Sequence, residues 1–158
     1  MIDKFEILLA LSREKHFGKA AEACGITQPS LSSALKTIEE QLGVRIVERG
    51  VRFQGFTAEG ERVLDWARRI VGDTRAMKQE IAALKKGLTG SLRLGVIPTA
   101  LPFVPELTKS YMDRYKNVKI SVTSMTSNAI LEQLDNLEID VGISYVDTEP
   151  LPKFQIVN

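Results

Sequence analysis

The sequence predicts a mostly α-helical winged helix-turn-helix, then a long coiled-coil linker helix, then a partial α/β lobe. Three observations carry this. Residues 16–60 read as short helix, glycine turn, amphipathic helix and basic hairpin. Residues 59–87 hold an unbroken heptad-like repeat of apolar positions. Beyond Gly87 and Gly90 the apolar period switches repeatedly between that of a strand and that of a helix. The expected domains are therefore residues 1–58, 59–87 and 91–158.

In the first region, Ala20, Ala21 and Ala23 are small enough for a second helix to pack closely, and Gly25 ends that helix as a residue able to take positive φ. Thr27 is a good N-cap, and Pro29 falls in the first turn, where a missing N–H costs little. Leu31, Leu35, Ile38 and Leu42 then form one apolar helical face. The opposite face carries Gln28, Ser30, Ser32, Ser33, Lys36 and Thr37, hydrogen-bonding side chains of the reach that a helix in a DNA major groove needs. Gly43 stops the helix. Val44–Val47 and Val51–Phe56 read as two short strands around Glu48-Arg49-Gly50, with Arg45, Arg49 and Arg52 on the resulting wing. A polar helix face taken alone is more often merely solvated; the order of elements is what favours DNA.

The linker helix starts at Thr57 as N-cap, with Glu59 and Glu61 in the first turn, where carboxylates favour the helix dipole. Val63, Ala67, Ile70, Thr74, Met77, Ile81 and Leu84 recur at alternating spacings of four and three, a dimerisation seam of coiled-coil type. The competing reading is an amphipathic helix docked on its own core. A length of roughly 44 Å at 1.5 Å per residue, and a repeat nearer 3.5 than 3.6, favour the seam. Small Ala67 and polar Thr74 weaken it.

In the last region Leu92, Leu94 and Val96 alternate as a strand, and Val104, Leu107, Tyr111 and Tyr115 give a helical face. Val118, Ile120 and Val122 alternate again, Ile130, Leu131, Leu134 and Leu137 give a second helix, and 140–145 read as a third strand. Such an order implies a parallel sheet, and ligands of such sheets bind beyond the carboxyl ends of the strands. Two loops fall there, one with Thr99 and Ala100, the other with Thr126 and Ser127. Hydroxyls and free N–H groups at helix starts suit a small anion such as a carboxylate. The plainer role for Thr99 and Ser127 is helix capping. Phe154–Val157 begins what reads as a further strand.

Composition excludes several classes. At 44% hydrophobic and 26% charged the chain is ordinary globular material. No apolar run is long enough for a membrane span, and the N-terminus lacks the pattern of a secretory signal. One cysteine makes no internal disulfide, which fits the cytoplasm. Charge is modest: +1 over residues 1–56, +2 over 57–90 and −2 over 91–158. The basic groups are placed rather than abundant, so useful DNA affinity calls for a dimer. No catalytic constellation, metal-ligand cluster, phosphate loop or cofactor motif is present. His16, the sole histidine, reads as a surface or packing residue. Cys24 reads as a buried structural thiol, with oxidant sensing as the alternative. Asp135, Glu138 and Asp140 read as solvated.

Residues 17–60 resemble the N-terminal domain of LysR-type transcriptional regulators. The resemblance rests on the Ala20-Ala21 pair, T-Q-P-S-L-S from Thr27, I-E-E-Q-L-G-V-R from Ile38, Glu48-Arg49, and T-A-E-G from Thr57, in order and with family-like spacing. It implies that Gln28, Pro29, Ser32 and Ser33 read base edges, that Thr27, Ser30 and Lys36 bind phosphates or fix the helix on the duplex, and that Arg49 and Arg52 reach the backbone or minor groove. Family members often carry Arg where Ser33 stands and a basic residue where Thr37 stands, so the operator sequence stays open. The G-V-I-P-T start at Gly95 is similar to the family's effector-binding domain, of periplasmic-binding-protein-like fold. L-G-V-I-P-T also looks like the peroxide-sensing branch, whose paired cysteines have no counterpart after Cys24.

The partners so implied are double-stranded DNA, a second copy through the linker helix, a tetramer for the full-length protein, and a small-molecule effector, with no membrane. Against the two-lobed effector domain of the family, this chain reads as carrying only part of the first lobe, as a fragment or a shortened product. Two other readings remain: an operator-binding fragment with no effector response, and a dimeric small-molecule-binding module that does not bind DNA.

Overall fold

A computed structural model describes residues 1–48, 50, 52–145 and 154–157, so Arg49 of the expected wing lies outside the described residues. The chain divides into two compact units, Met1–Lys78 and Gln79–Asn158.

The first unit contains α1 (Ile2–Glu14), α2 (Phe17–Ala23), α3 (Gln28–Leu42) and the N-terminal part of α4 (Ala58–Lys86). α1 lies outside the elements expected from the sequence. It buries Phe5, Leu8, Leu9, Ala10 and Leu11, a denser apolar run than a single stripe gives. Leu8, Leu11, Leu31, Ile38, Ile46, Leu64 and Val71 are fully buried, and each such side chain stabilises the unit by about 1.5–3 kcal/mol. Gly25 and Gly43, at φ 65° and 68°, end α2 and α3 in the left-handed conformation expected of them.

The expected two-stranded wing reduces, among the described residues, to one antiparallel bridge between Val47 and Phe56. Two short strands alone are marginal in water, and here other bonds hold them. Glu39 Oε1 accepts from the N–H groups of Ile46 (2.8 Å) and Val47 (3.3 Å). Phe17, Phe53 and Phe56 form an edge-on aromatic chain, with centroids 6.0 and 5.1 Å apart.

α4 is capped as expected, Thr57 Oγ1 accepting from Gly60 N at 2.9 Å. Its seam needs correction. Ala67 is fully buried, together with Leu64 and Val71, inside its own chain, and so is no surface for a partner. Val63, Ile70 and Thr74 are half-buried, whereas Met77, Ile81 and Leu84 are exposed. The buried stripe at 64, 67 and 71 shares Ala67 with the expected seam and lies one residue beyond it at 64 and 71. Arg75 pairs with Glu6 of α1 at 3.8 Å, in line with docking of this part of the helix. Trp66 remains 61% exposed, under the Arg69 guanidinium.

The second unit has a parallel sheet of order β2-β1-β3, with β1 (Gly90–Val96), β2 (Val118–Ser124) and β3 (Val141–Ile143). A 3-10 turn (Pro98–Phe103) leads into α5 (Val104–Arg114), and α6 (Ser127–Asp135) precedes β3. One core cluster joins Leu94, Val96 and Val104 of α5; a second joins Ile97, Ile139 and Ile130 of α6. The apolar alternation thus fixes which helix packs with which strand residues. Several expectations differ, Leu107 of the expected helical face being exposed. β3 is three residues long, so Tyr145 lies past it. α6 ends before Leu137, which takes φ 57°. Phe154–Val157 has no strand geometry. Asp140 is not simply solvated: its carboxylate accepts from Arg93 N at 2.8 Å, Nε at 3.1 Å and Nη2 at 2.8 Å. That hydrogen bonding is the main reason the Arg93 guanidinium is held above its usual range.

Candidate functional site

α2, the Cys24–Thr27 turn and α3 form the helix-turn-helix. Gly25 N donates to Glu22 O at 2.9 Å, and Ile26 N to Ala21 O at 3.0 Å, closing the turn with backbone groups. α3 buries Leu31, Leu35 and Ile38 and exposes Gln28, Pro29, Ser30, Ser32, Ser33 and Lys36. The residues expected to meet DNA therefore share one solvent face at the start of α3.

Their engagements differ. Thr27 caps α3, accepting from Ser30 N at 3.4 Å, and its hydroxyl lies 2.9 Å from that of Ser30. These two side chains are tied to each other, which suits a role in fixing the helix. Lys36 lies 3.7 Å from Glu40, with both side chains mostly exposed. A pair of this kind is worth little in water, so it yields readily to a phosphate. Thr37 donates its hydroxyl back to Ser33 O at 2.8 Å, which engages that proton within the helix. Arg45 and Arg52 are exposed beside the wing.

Two residues here were not legible as functional. Glu39 holds the start of the wing, although in sequence it is one acid among several in an amphipathic helix. His16 is the N-cap of α2, its Nδ1 accepting from Gly18 N at 3.1 Å and Lys19 N at 3.2 Å. Histidine is not a usual cap, so its position before Phe17 gave no signal. Cys24, at the C-cap of α2, is half-buried rather than buried, and desolvation raises its thiol pKa, so the thiolate is disfavoured.

The carboxyl edge of the sheet gathers the expected effector residues. Thr99 Oγ1 lies 2.9 Å from the Tyr145 hydroxyl, and Ser144 Oγ donates to Ser127 Oγ at 3.0 Å. Thr126 is the cap of α6, accepting from Ala129 N at 3.3 Å, so capping falls to Thr126 and not to Ser127. Thr99 caps no helix through its side chain. Ala100 is half-buried against both core clusters and offers packing rather than polar contact. Ser144 and Tyr145 join this edge because β3 ends early. Among the described residues no cluster of His, Cys, Asp and Glu could hold a metal ion, and no helix is long and apolar enough to cross a membrane.

A profile described as "Bacterial regulatory helix-turn-helix protein, lysR family" matches residues 2–61, and one described as "LysR substrate binding domain" matches residues 85–156. The chain is 31% identical to the "Hydrogen peroxide-inducible genes activator" of Haemophilus influenzae, over 99% of this chain and 53% of that protein. It is 34% identical to the "Probable hydrogen peroxide-inducible genes activator" of Mycobacterium xenopi, over 89% of this chain and 75% of that protein. A solved full-length OxyR variant from Pseudomonas aeruginosa matches with TM-score 0.60 at 26% identity, over 89% of this chain and 49% of that one. The chain thus spans about half the length of the Haemophilus relative and of the solved structure.

Proposed function

This chain belongs to the LysR family of bacterial regulatory proteins, and from that premise we propose that it is a sequence-specific DNA-binding transcriptional regulator, working in the cytoplasm as a dimer or higher oligomer and not as an enzyme. The observation that carries the reading is the start of α3, where Gln28, Pro29, Ser32 and Ser33 stand exposed on a helix whose opposite face is locked into the core. Gln28 and the serines read base edges; Lys36, Arg52 and Arg49 meet the phosphate backbone. Pairing uses the exposed Met77, Ile81 and Leu84 of α4, with Val63, Ile70 and Thr74 at its margin. The domain limits of 1–58, 59–87 and 91–158 belong to the same proposal.

The intact regulator answers to a small effector at the carboxyl edge of the sheet, through Thr99, Thr126 and Ser127. The start of α6 supports an anionic group there. A second reading, a peroxide effector, is favoured by the names of the Haemophilus and Mycobacterium relatives. In that reading the hydroxyls of the edge, and not the thiol of Cys24, meet the ligand. Fluorescence anisotropy against the duplex upstream of the protein's own gene, at two salt concentrations, tests the DNA reading. Binding that weakens steeply with salt supports it; no binding at low salt removes it. Repeating the titration with a carboxylate or with peroxide separates the effector readings.

A further inference from the structure

The sole histidine of the chain is used only in part by its role as a cap. With Nδ1 accepting from two backbone N–H groups, the ring is the neutral tautomer that carries its proton on Nε2. That N–H lies across the ring from the helix backbone, on an exposed residue, and no partner for it is found among the described residues.

Its surroundings come from three elements. A Cβ placed on Gly18 would lie 3.1 Å from His16 Cε1 and 3.8 Å from Gln28 Oε1, so the imidazole and the first side chain of α3 flank one bare glycine. On the other side Phe17, the next residue, packs edge-on against Phe53 of the wing, which follows Arg52. His16 therefore stands near the base-reading start of α3, and its chain neighbour Phe17 packs on the wing.

We propose that His16 is a DNA-contacting residue, its Nδ1 holding α2 while its Nε2–H donates to a backbone phosphate oxygen in the footprint shared by Gln28 and Arg52. This rests on the DNA-binding reading above. The contact is a neutral donor, so it releases no counterion and leaves the salt slope unchanged, unlike an arginine contact. A phosphate contact positions the protein without reading sequence.

The test uses the full chain, as wild type, His16→Ser and Arg52→Ala, with the upstream duplex and a scrambled duplex. Serine keeps a capping oxygen, so the urea midpoint stays at the wild-type value. His16→Ser is expected to weaken binding to both duplexes by roughly ten- to a hundredfold, the worth of one hydrogen bond to a charged acceptor, with the wild-type salt slope. Arg52→Ala lowers that slope. As the single imidazole, His16 also gives one assignable set of 15N signals, and its Nε2 resonance should move on adding duplex. Wild-type affinity in His16→Ser, or imidazole signals unmoved at saturating duplex, overturns the contact. A wild type that binds neither duplex overturns the DNA reading itself, and this inference with it.

Discussion

Gly60 lies in the first turn of α4, where helix propensity and packing make opposite predictions for Gly60→Ala. By propensity alone alanine should stabilise, by about 0.8–1 kcal/mol. The structure reverses the sign. A Cβ on Gly60 would overlap the carbonyl oxygen of Ile46 and would lie 2.9 Å from its carbon and 3.1 Å from its Cα. These are backbone atoms and cannot swing aside as a flexible side chain would. The same carbonyl accepts from Thr57 N at 3.0 Å, and the Thr57 hydroxyl in turn caps α4. Clearing the methyl group means a shift of roughly 1 Å, since such carbon–oxygen contacts need about 3.3 Å. The strain costs about 1–3 kcal/mol, and losing the Thr57 bond costs about 1 kcal/mol more. Net destabilisation of about 1–3 kcal/mol remains after the propensity gain. For a unit of this size that is a fall of about 4–8 °C in Tm per kcal/mol. Urea unfolding followed by circular dichroism should show a lower midpoint with an unchanged m-value. An unchanged or higher midpoint would refute the reasoning, because propensity would then outweigh the contact with Ile46.

Three further outcomes concern the proposed function. Gln28→Ala should erase part of the preference for the cognate over a scrambled duplex, by about 1–3 kcal/mol if its amide bonds a base in bidentate fashion; an unchanged footprint would place recognition elsewhere on the domain. Arg52→Ala should weaken all duplexes alike and lower the salt slope by about one, whereas an unaltered slope in a salt titration would remove the wing contact. Ile81→Asp, at an exposed position of α4, should raise the dimer dissociation constant by about tenfold or more in sedimentation equilibrium. Wild-type association in that variant would move the interface off this face.

Much of the fold was legible because it rests on local rules. Thr27 and Thr57 act as caps, Gly25 and Gly43 take positive φ, and Leu31, Leu35 and Ile38 of α3 and Leu94 and Val96 of β1 point inward as their periods require, whereas Leu42 in the last turn of α3 is exposed. The polar face of α3 followed directly, since a helix with one buried stripe must expose the other. The α4 seam failed at Ala67 for a physical reason. Periodicity locates an apolar stripe, yet it does not say whether the chain's own domain or a second copy covers it. Here the N-terminal part of the stripe, through Leu64, Ala67 and Val71, is buried in its own unit, while Met77, Ile81 and Leu84 stay exposed. The ion pair of Arg93 and Asp140 was likewise hidden, because its partners stand 47 residues apart and meet only through sheet register.

Sequence by itself determined the helix-turn-helix, the long helix and the parallel α/β order, along with the polar residues presented at the start of α3. Caps, turn glycines and apolar period act over a few residues, and that range is written in the chain. Tertiary structure alone decided how the wing is held, through Glu39 and the Phe17–Phe53–Phe56 chain. It also decided that Thr99 meets Tyr145 and Ser127 meets Ser144, and that His16 stands beside Gln28. Those pairings join residues of different elements, and only packing brings them together.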